Sequence, residues 1–328
     1  MRQVLLRTQT FLMAAMTAVV VAVGGWSCAA AAWPERPVTL MVTFPPGAAN
    51  DLGARIIGAA LSKRWNQPVV IENRPGAEGT VGAAAFALHK NDHVLLYSVI
   101  GLVTVAPLIL DNVHFDVDHD LVPIVGPSAI VLAISVSGKL AVESLSDLVR
   151  VVGDKPNQLS WASGPSVPRY AFAAFLKSNN LEMNYASYRD ASTPQIDLGE
   201  DRIQVLVTSW QASKSPVELG KARFLAVVNS SRASVLPNIP TARQAGHPEL
   251  ELDGGSAIFG WKGMPDALRD QIAADVSAVL QMPDVRQHLE ATGQIIIGGT
   301  PSDLKRAIAV QRTRIEAIAK IIDLKSAN

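Results

Sequence analysis

The sequence predicts an α/β protein built on a mostly parallel sheet. Strand-like apolar runs alternate with helix-like runs behind the N-terminal leader, and 48% of residues are hydrophobic, enough for a packed core. No solenoid repeat and no low-complexity tether interrupts the alternation. At 328 residues the chain has room for two domains of ordinary size. Without a tether, they are expected to be joined by ordered crossovers.

The leader comes first. Arg2 and Arg7 precede an apolar run from Phe11 to Gly24, and small residues (Ser27, Ala29 to Ala32) follow before Trp33-Pro34. This is the three-part pattern of a cleavable secretory signal over residues 1–32. The run falls short of the ~20 apolar residues that cross a bilayer, so an exported, soluble mature chain is expected. Cys28 is the only cysteine, and Gly25-Trp26-Ser27 before it lacks the branched apolar residue that a lipid-attachment site prefers. Cleavage after Cys28 would leave no thiol for disulfides, catalysis or a cysteine metal site.

Val38 to Phe44 is an apolar, partly β-branched strand that stops at Pro45-Pro46-Gly47. Asn50 or Asp51 can cap the next helix, whose apolar face is Leu52, Ile56, Ala60 and Leu61. Val69 to Ile71 reads as a strand, Asn73 to Gly76 as a turn, Gly79 to Leu88 as a small-residue helix, and Val94 to Ser98 as a third strand. Further strands are expected near Ala129 to Val136, Leu159 to Ala162, Ile203 to Val207 and Phe224 to Val228. Helices are expected near Ser144 to Val152 and Arg169 to Lys177. The C-terminal stretch reads as helices Pro265 to Gln281, Pro283 to Thr292 and Pro301 to Ile322, with a short strand Ile295 to Ile297.

Several chemistries fall away. Twenty-nine basic and 29 acidic residues balance, and loss of Arg2 and Arg7 with the leader would leave acids in excess. Nucleic acid needs a basic face, and aromatics at 5% leave few stacking platforms. Gly76, Gly79 and Gly82 form G-x-x-G-x-x-G, which meets neither the dinucleotide fingerprint nor the P-loop. Close packing at a tight turn explains them better. Asp116, Asp118 and Asp120 resemble the start of a calcium loop, but Leu121 and Pro127 stand where glycine and glutamate are needed. The segment reads as a solvated face. His89 and His93 lack a third ligand nearby in sequence, and Ser166 lies outside any nucleophile elbow. No metal, no cofactor and no catalytic constellation are expected.

The turn Phe44-Pro45-Pro46-Gly47-Ala48-Ala49-Asn50-Asp51 is different. A strand running into a helix start points unpaired N–H groups and a positive dipole end at one spot. An anion site and an ordinary capped helix both fit. A helix terminus contributes about 0.3–1 kcal/mol toward a carboxylate, ~2 when buried, whereas micromolar binding needs about −8 kcal/mol. A functional site here requires a second set of donors facing the first, with closure expelling water.

Trp33-Pro34-Glu35-Arg36-Pro37, the run into Phe44-Pro45-Pro46-Gly47, and Gln67 to Gly79 (with Glu72-Asn73-Arg74-Pro75-Gly76-Ala77) resemble the Bug-type receptors, the extracytoplasmic solute-binding proteins of tripartite tricarboxylate transporters. Asp120-Leu121-Val122-Pro123-Ile124, Leu236 to Ala242 and Gly299-Thr300-Pro301 add to the resemblance, which spans nearly the whole mature chain. It implies a two-lobed type II periplasmic-binding-protein fold with the ligand in the interlobe cleft. The expected division is residues 33–125 and 227–328 in lobe 1 and 126–226 in lobe 2. It also implies a periplasmic, monomeric receptor, not an enzyme, that takes a small carboxylate or related amide. Its partners would be transporter membrane subunits or, alternatively, a membrane sensor kinase. The ligand-binding residues it implies are Phe44, Gly47, Ala48, Ala49, Asn50, Asp51, Ala77, Ser98, Ser163, Ser166, Arg169 and Ser209.

The sequence departs from the family pattern in ways that matter. Gly47-Ala48-Ala49-Asn50-Asp51 replaces Gly-Gly-Gly-Thr-Asp, narrowing the cleft floor by two methyls. Ser163-Gly164-Pro165-Ser166-Val167-Pro168-Arg169-Tyr170 replaces a Ser-Gly-x-Gly-Ser loop and a His-Leu helix start, and its prolines remove two N–H donors. Tyr188-Arg189-Asp190 stands where Tyr-Lys-Gly is usual, and Thr208-Ser209 where an acid is common. Arg169 is expected either to reach a second acidic group of the ligand or to face solvent or a surface acid.

Overall fold

A computed structural model describes residues 33–325 except 112, 165–166 and 189–192. The leader expected over 1–32, with Cys28, and the expected ligand residue Ser166 lie outside the described residues. From Arg36 onward the chain forms one unit.

The chain begins with the expected alternation. Strand β1 (Val38–Val42) leads into helix α1 (Ala49–Trp65), β2 (Val69–Asn73), α2 (Thr80–Ala87) and β3 (Val94–Val99). β1 lies between β2 and β3 and is parallel to both. β1 and β3 are buried almost throughout, as strands covered by helices on both faces must be. Two single-turn helices, α3 (Gly101–Thr104) and α4 (Ala106–Ile109), then carry the chain to β4 (Leu121–Ile130).

The expected single strand near Ala129 to Val136 is two strands in two sheets. β4 ends at Ile130, and β5 (Leu132–Ser137) begins the second sheet after one residue, Val131. There follow α5 (Leu145–Asp154), β6 (Ser160–Ser163), α6 (Val167–Ser178), β7 (Asn184–Tyr185), α7 (Thr193–Gly199), β8 (Val205–Ser209), α8 (Trp210–Glu218) and β9 (Ala222–Val227). The chain then returns to the first sheet as β10 (Gly254–Trp261), α9 (Asp266–Leu280), α10 (Pro283–Ala291), β11 (Gln294–Gly298) and α11 (Pro301–Ala319). Among the described residues the sheet orders are β11-β4-β10-β3-β1-β2 and β7-β6-β8-β5-β9. Each sheet with its helices makes one lobe.

The crossovers are ordered. The fully buried Asn229, just after β9, donates to the Ile130 carbonyl (3.0 Å) and accepts the Leu132 N–H (2.8 Å), so the returning segment grips the outgoing one on both sides of Val131. An apolar cluster also bridges the lobes. Val167, Tyr170, Ala171 and Ala174 of α6 pack with Val105 and Ile109 of the α3–α4 segment and with Ile315 and Ile318 of α11.

Candidate functional site

The turn between β1 and α1 is held by one carboxylate. The helix starts two residues earlier than a cap at Asn50 would place it, and three earlier than a cap at Asp51. Ala48 is the N-cap, with no side-chain oxygen to offer, and Asn50 and Asp51 fall in the first turn. From there Asp51 reaches back. One of its oxygens accepts the Gly47 N–H (2.8 Å) and Arg55 Nε (2.9 Å), and the other accepts Asn73 Nδ2 (2.7 Å). Asn73 Nδ2 also donates to the Phe44 carbonyl (2.9 Å), and its Oδ1 accepts from Arg55 (3.0 Å). Asp51 is 1% exposed. Burial alone would raise its pKa, but the bonds from Arg55, Asn73 and Gly47 outweigh it and hold the carboxyl below the usual range. Gly47 has φ of +84° with open space where a Cβ would stand, so conformation rather than room requires glycine. Among the described residues no side chain caps the α1 N-terminus, so its first N–H groups remain donors for an anion.

The next turn carries Ala77. Gly76, Ala77, Glu78 and Gly79 all have positive φ, two of them without the freedom of glycine. Thr80 Oγ1 donates to the Ala77 carbonyl (2.7 Å). Below this loop, Thr43 and Ser98 share a hydroxyl hydrogen bond of 2.8 Å, and a Cβ on Gly79 would press on both. A Cβ on Gly82 would lie 2.7 Å from the Arg74 carbonyl. The glycine triplet is thus close packing. Ser98 is fully buried as a support of the loop.

In the second lobe, Ser163 ends β6, Ser209 precedes α8, and Arg169 lies in the first turn of α6. The Arg169 guanidinium stacks over the Tyr185 ring, 4.2 Å from its centre. Tyr170 is fully buried. Its pKa is pushed up to about 12, chiefly by burial and further by the charge of Glu78, which belongs to the Ala77 turn of the other lobe. The Trp210 indole nitrogen lies where a Cβ on Gly293 would stand, and Gln294 beside it donates to the Ala49 carbonyl (3.1 Å). Gln294 also accepts from Ser128, which is bonded to Ser256, so β4, β10, β11 and the start of α1 form one buried polar network.

The structure therefore gathers Phe44, Gly47, Ala48, Ala49, Asn50 and Asp51 where β1 passes into α1, places Ala77 in the adjoining turn with Ser98 of β3 beneath it, and puts Ser163, Arg169 and Ser209 at strand ends and a helix start of the other lobe. Sequence reasoning missed Asn73, Tyr170, Trp210 and Gln294 as constituents. Asn73 stood inside a quoted motif, and Trp210 follows Ser209 directly. Four buried polar atoms here have no hydrogen-bond partner among the described residues: Asn50 Oδ1, Ser163 Oγ, Tyr170 Oη and Trp210 Nε1.

Other candidates stay apart. Asp116 accepts the N–H groups of Asp118 and His119, and Asp120 that of Asp116, so this acidic segment closes on itself. Among the described residues no cluster of three His, Cys, Asp or Glu is placed to hold a metal. No helix among them is long and apolar enough to cross a membrane. One groove of about 440 Å³ runs between α1 and α10, and another of about 510 Å³ runs along α11. Neither is lined by the loops described above.

Residues 54–324 match the tripartite tricarboxylate transporter family receptor. The chain belongs to that family. It is 31% identical over 278 residues to the UPF0065 protein in the tcbD-tcbE intergenic region of Pseudomonas sp. strain P51, covering 83% of this chain and 82% of that protein. It is 25% identical over 292 residues to protein BugT of Bordetella pertussis, covering 88% and 90%. Among solved structures, the Rpa4515 protein of R. palustris with adipate superposes with a TM-score of 0.78 at 27% identity, covering 88% of this chain and 98% of that one. The Bug-type resemblance and the two-lobed fold expected from the sequence are both borne out. The chain is a solute-binding receptor, not an enzyme.

Proposed function

We propose that this receptor works in the periplasm, behind a removed leader of residues 1–32, and captures a small carboxylate between its lobes for delivery to the membrane subunits of a tripartite tricarboxylate transporter. The observation that carries the reading is the Asp51-ordered turn, which leaves the first N–H groups of α1 uncapped beside the Ala77 loop. A carboxylate there meets oriented donors and the dipole end without needing a cation. Phe44, Gly47 to Asp51 and Ala77 form the first half of the proposed site, with Ser98 beneath them. The proposed second half comprises Ser163, Arg169 and Ser209, together with Ser166. The adipate bound to the R. palustris relative supports an acid of this size class.

A thermal-shift screen against short carboxylates tests the reading. A true ligand at a hundredfold excess over its Kd adds about 2.7 kcal/mol to stability, which is a rise of several degrees. The matching amides and alcohols should give a smaller rise. Equal shifts for acids and alcohols would remove the carboxylate from the proposal.

A further inference from the structure

Buried polar groups without partners are uncommon, because each costs about 1–3 kcal/mol of lost hydration. Asn50 is 4% exposed, Tyr170 0% and Trp210 8%, yet Asn50 Oδ1, Tyr170 Oη and Trp210 Nε1 have no partner among the described residues, nor does Ser163 Oγ. They are not scattered. Asn50 follows β1, Ser163 ends β6, Tyr170 lies in the first turn of the helix after β6, and Trp210 follows β8. All four therefore sit at the C-terminal ends of strands in parallel pairs, where open α/β sheets bind ligands. Two observations tie the second-lobe groups to the first lobe. The Trp210 indole nitrogen packs on Gly293, next to the glutamine that holds the Ala49 carbonyl. The Tyr170 hydroxyl lies within reach of the Glu78 charge.

The chemistry of this set is specific. Trp210 can only donate, Asn50 Oδ1 can only accept, and the two hydroxyls do either. The described cations of the second-lobe side are engaged, Arg169 on the Tyr185 ring, and Lys214 near the Trp210 ring and with Glu218. Tyr170 is buried and feels two opposed charges, the negative one of Glu78 from the other lobe and the positive one of its neighbour Arg169. We infer that the far end of the ligand is an uncharged group that both donates and accepts hydrogen bonds, such as a hydroxyl, so that the receptor selects a hydroxy-monocarboxylate over a dicarboxylate, with Tyr170 and Trp210 as specificity-determining residues. A second carboxylate would bring a full charge to four polar atoms that are all neutral, with the Arg169 charge held on the Tyr185 ring and Lys214 shared with Glu218, and would lose its hydration there. A hydroxyl loses far less and satisfies both kinds of unpartnered atom. The inference rests on the carboxylate-capture reading for the near end of the ligand.

Calorimetric titration of the full chain tests it with probes matched in length. These are ω-hydroxy acids of three to six carbons and hydroxybenzoates, each beside the corresponding dicarboxylate and plain monocarboxylate. The expected result is that the best hydroxy acid binds at least tenfold tighter than its dicarboxylate partner, a 1.4 kcal/mol preference. In Tyr170→Phe the advantage of the hydroxy acid over the plain monocarboxylate should collapse, while the melting temperature of the free protein is not lowered, since the removed hydroxyl had no partner. Ser163→Ala provides a second reading of the same advantage should Tyr170→Phe fold poorly. A dicarboxylate that binds as tightly as the hydroxy acid overturns the inference and leaves the capture reading standing. If no carboxylate of any kind binds, both fall together. An unchanged preference in folded Tyr170→Phe and Ser163→Ala would take the hydroxyl wall out of ligand selection.

Discussion

At the β1–α1 turn, the Asp51 carboxylate accepts three hydrogen bonds and Asn73 serves three partners. In the second lobe, the hydroxyls of Ser163 and Tyr170 and the Trp210 indole nitrogen are buried without any partner among the described residues. One half of the proposed site is complete in the free protein, and the other is left for a ligand to complete. The first kind of half costs nothing to organise at the moment of binding, which favours affinity for a feature shared by many ligands. The second kind rewards only a ligand that matches its unpaired groups, which favours discrimination. That division fits a receptor whose near-end chemistry is common to its family and whose far-end loop departs from it.

The sharpest way to break the comparison is to unmake the complete half. Asp51→Leu strips Gly47, Arg55 and Asn73 of their shared acceptor. We expect a loss of about 2–4 kcal/mol in stability, because a buried charged hub is removed while its partners remain. We also expect carboxylate binding to weaken by more than a hundredfold, as the donors of α1 lose their aim. Denaturant unfolding and calorimetry read the two effects separately. A folded variant with wild-type affinity would show that the ordered turn is structural only.

A second matched carboxylate sharpens the comparison by serving as a control outside the site. Glu251, 7% exposed, accepts from Arg243 and from Arg314 of α11, and these bonds together outweigh burial and lower its pKa to about 2. Its folded value lies below the 4.5 of an unperturbed glutamate. The stabilisation is therefore present in full above about pH 4.5 and lost as pH falls toward about 2. Both arginines are over a third exposed, so solvent screening leaves about 2 kcal/mol of the shift. Glu251→Gln should lower stability by that amount at pH 7 and by progressively less toward pH 3, with affinity at pH 7 unchanged. A pH-independent difference would mean that the ion pairs carry none of it.

The legible parts of the molecule were those with local signals. β1, β2 and β3 and the long C-terminal helices could be read because apolar runs and proline or asparagine stops are local. β10, at the centre of the first sheet, was missed. Gly254, Gly255 and Gly260 break its run, and its burial on both faces removes any alternation. Those glycines answer to distant contacts, since a Cβ on Gly255 would lie 2.9 Å from Ile100 Cδ1 and one on Gly260 2.6 Å from Met264 Sδ. The passage from β4 to β5 was read as one strand because a single residue, Val131, separates two sheets without a turn signal. In the candidate site, the turn itself was legible from strand, glycine and helix start, though the role of Asp51 as a hub needed Asn73, which is 22 residues away. The unpartnered hydroxyls were not legible at all, because absence of a partner is a property of the packed state.

The smallest expected effect concerns Arg169, which decides whether the far wall contains a working cation. Its guanidinium sits over the Tyr185 ring in a half-exposed place near the start of α6, where the helix dipole disfavours a positive charge. Stacking on the ring contributes about 0.5–1 kcal/mol at an exposed site and offsets that penalty, so Arg169→Ala should change stability by only a few tenths to 1 kcal/mol. If the guanidinium is committed to Tyr185, the ranking of hydroxy acids, dicarboxylates and plain monocarboxylates should be the same in wild type and variant. A selective loss of dicarboxylate binding in Arg169→Ala would show the opposite: the arginine swings off Tyr185 when a second carboxylate arrives. The far wall would then be charged when occupied, and the contrast between a complete half and a neutral, open half would hold for the free protein alone.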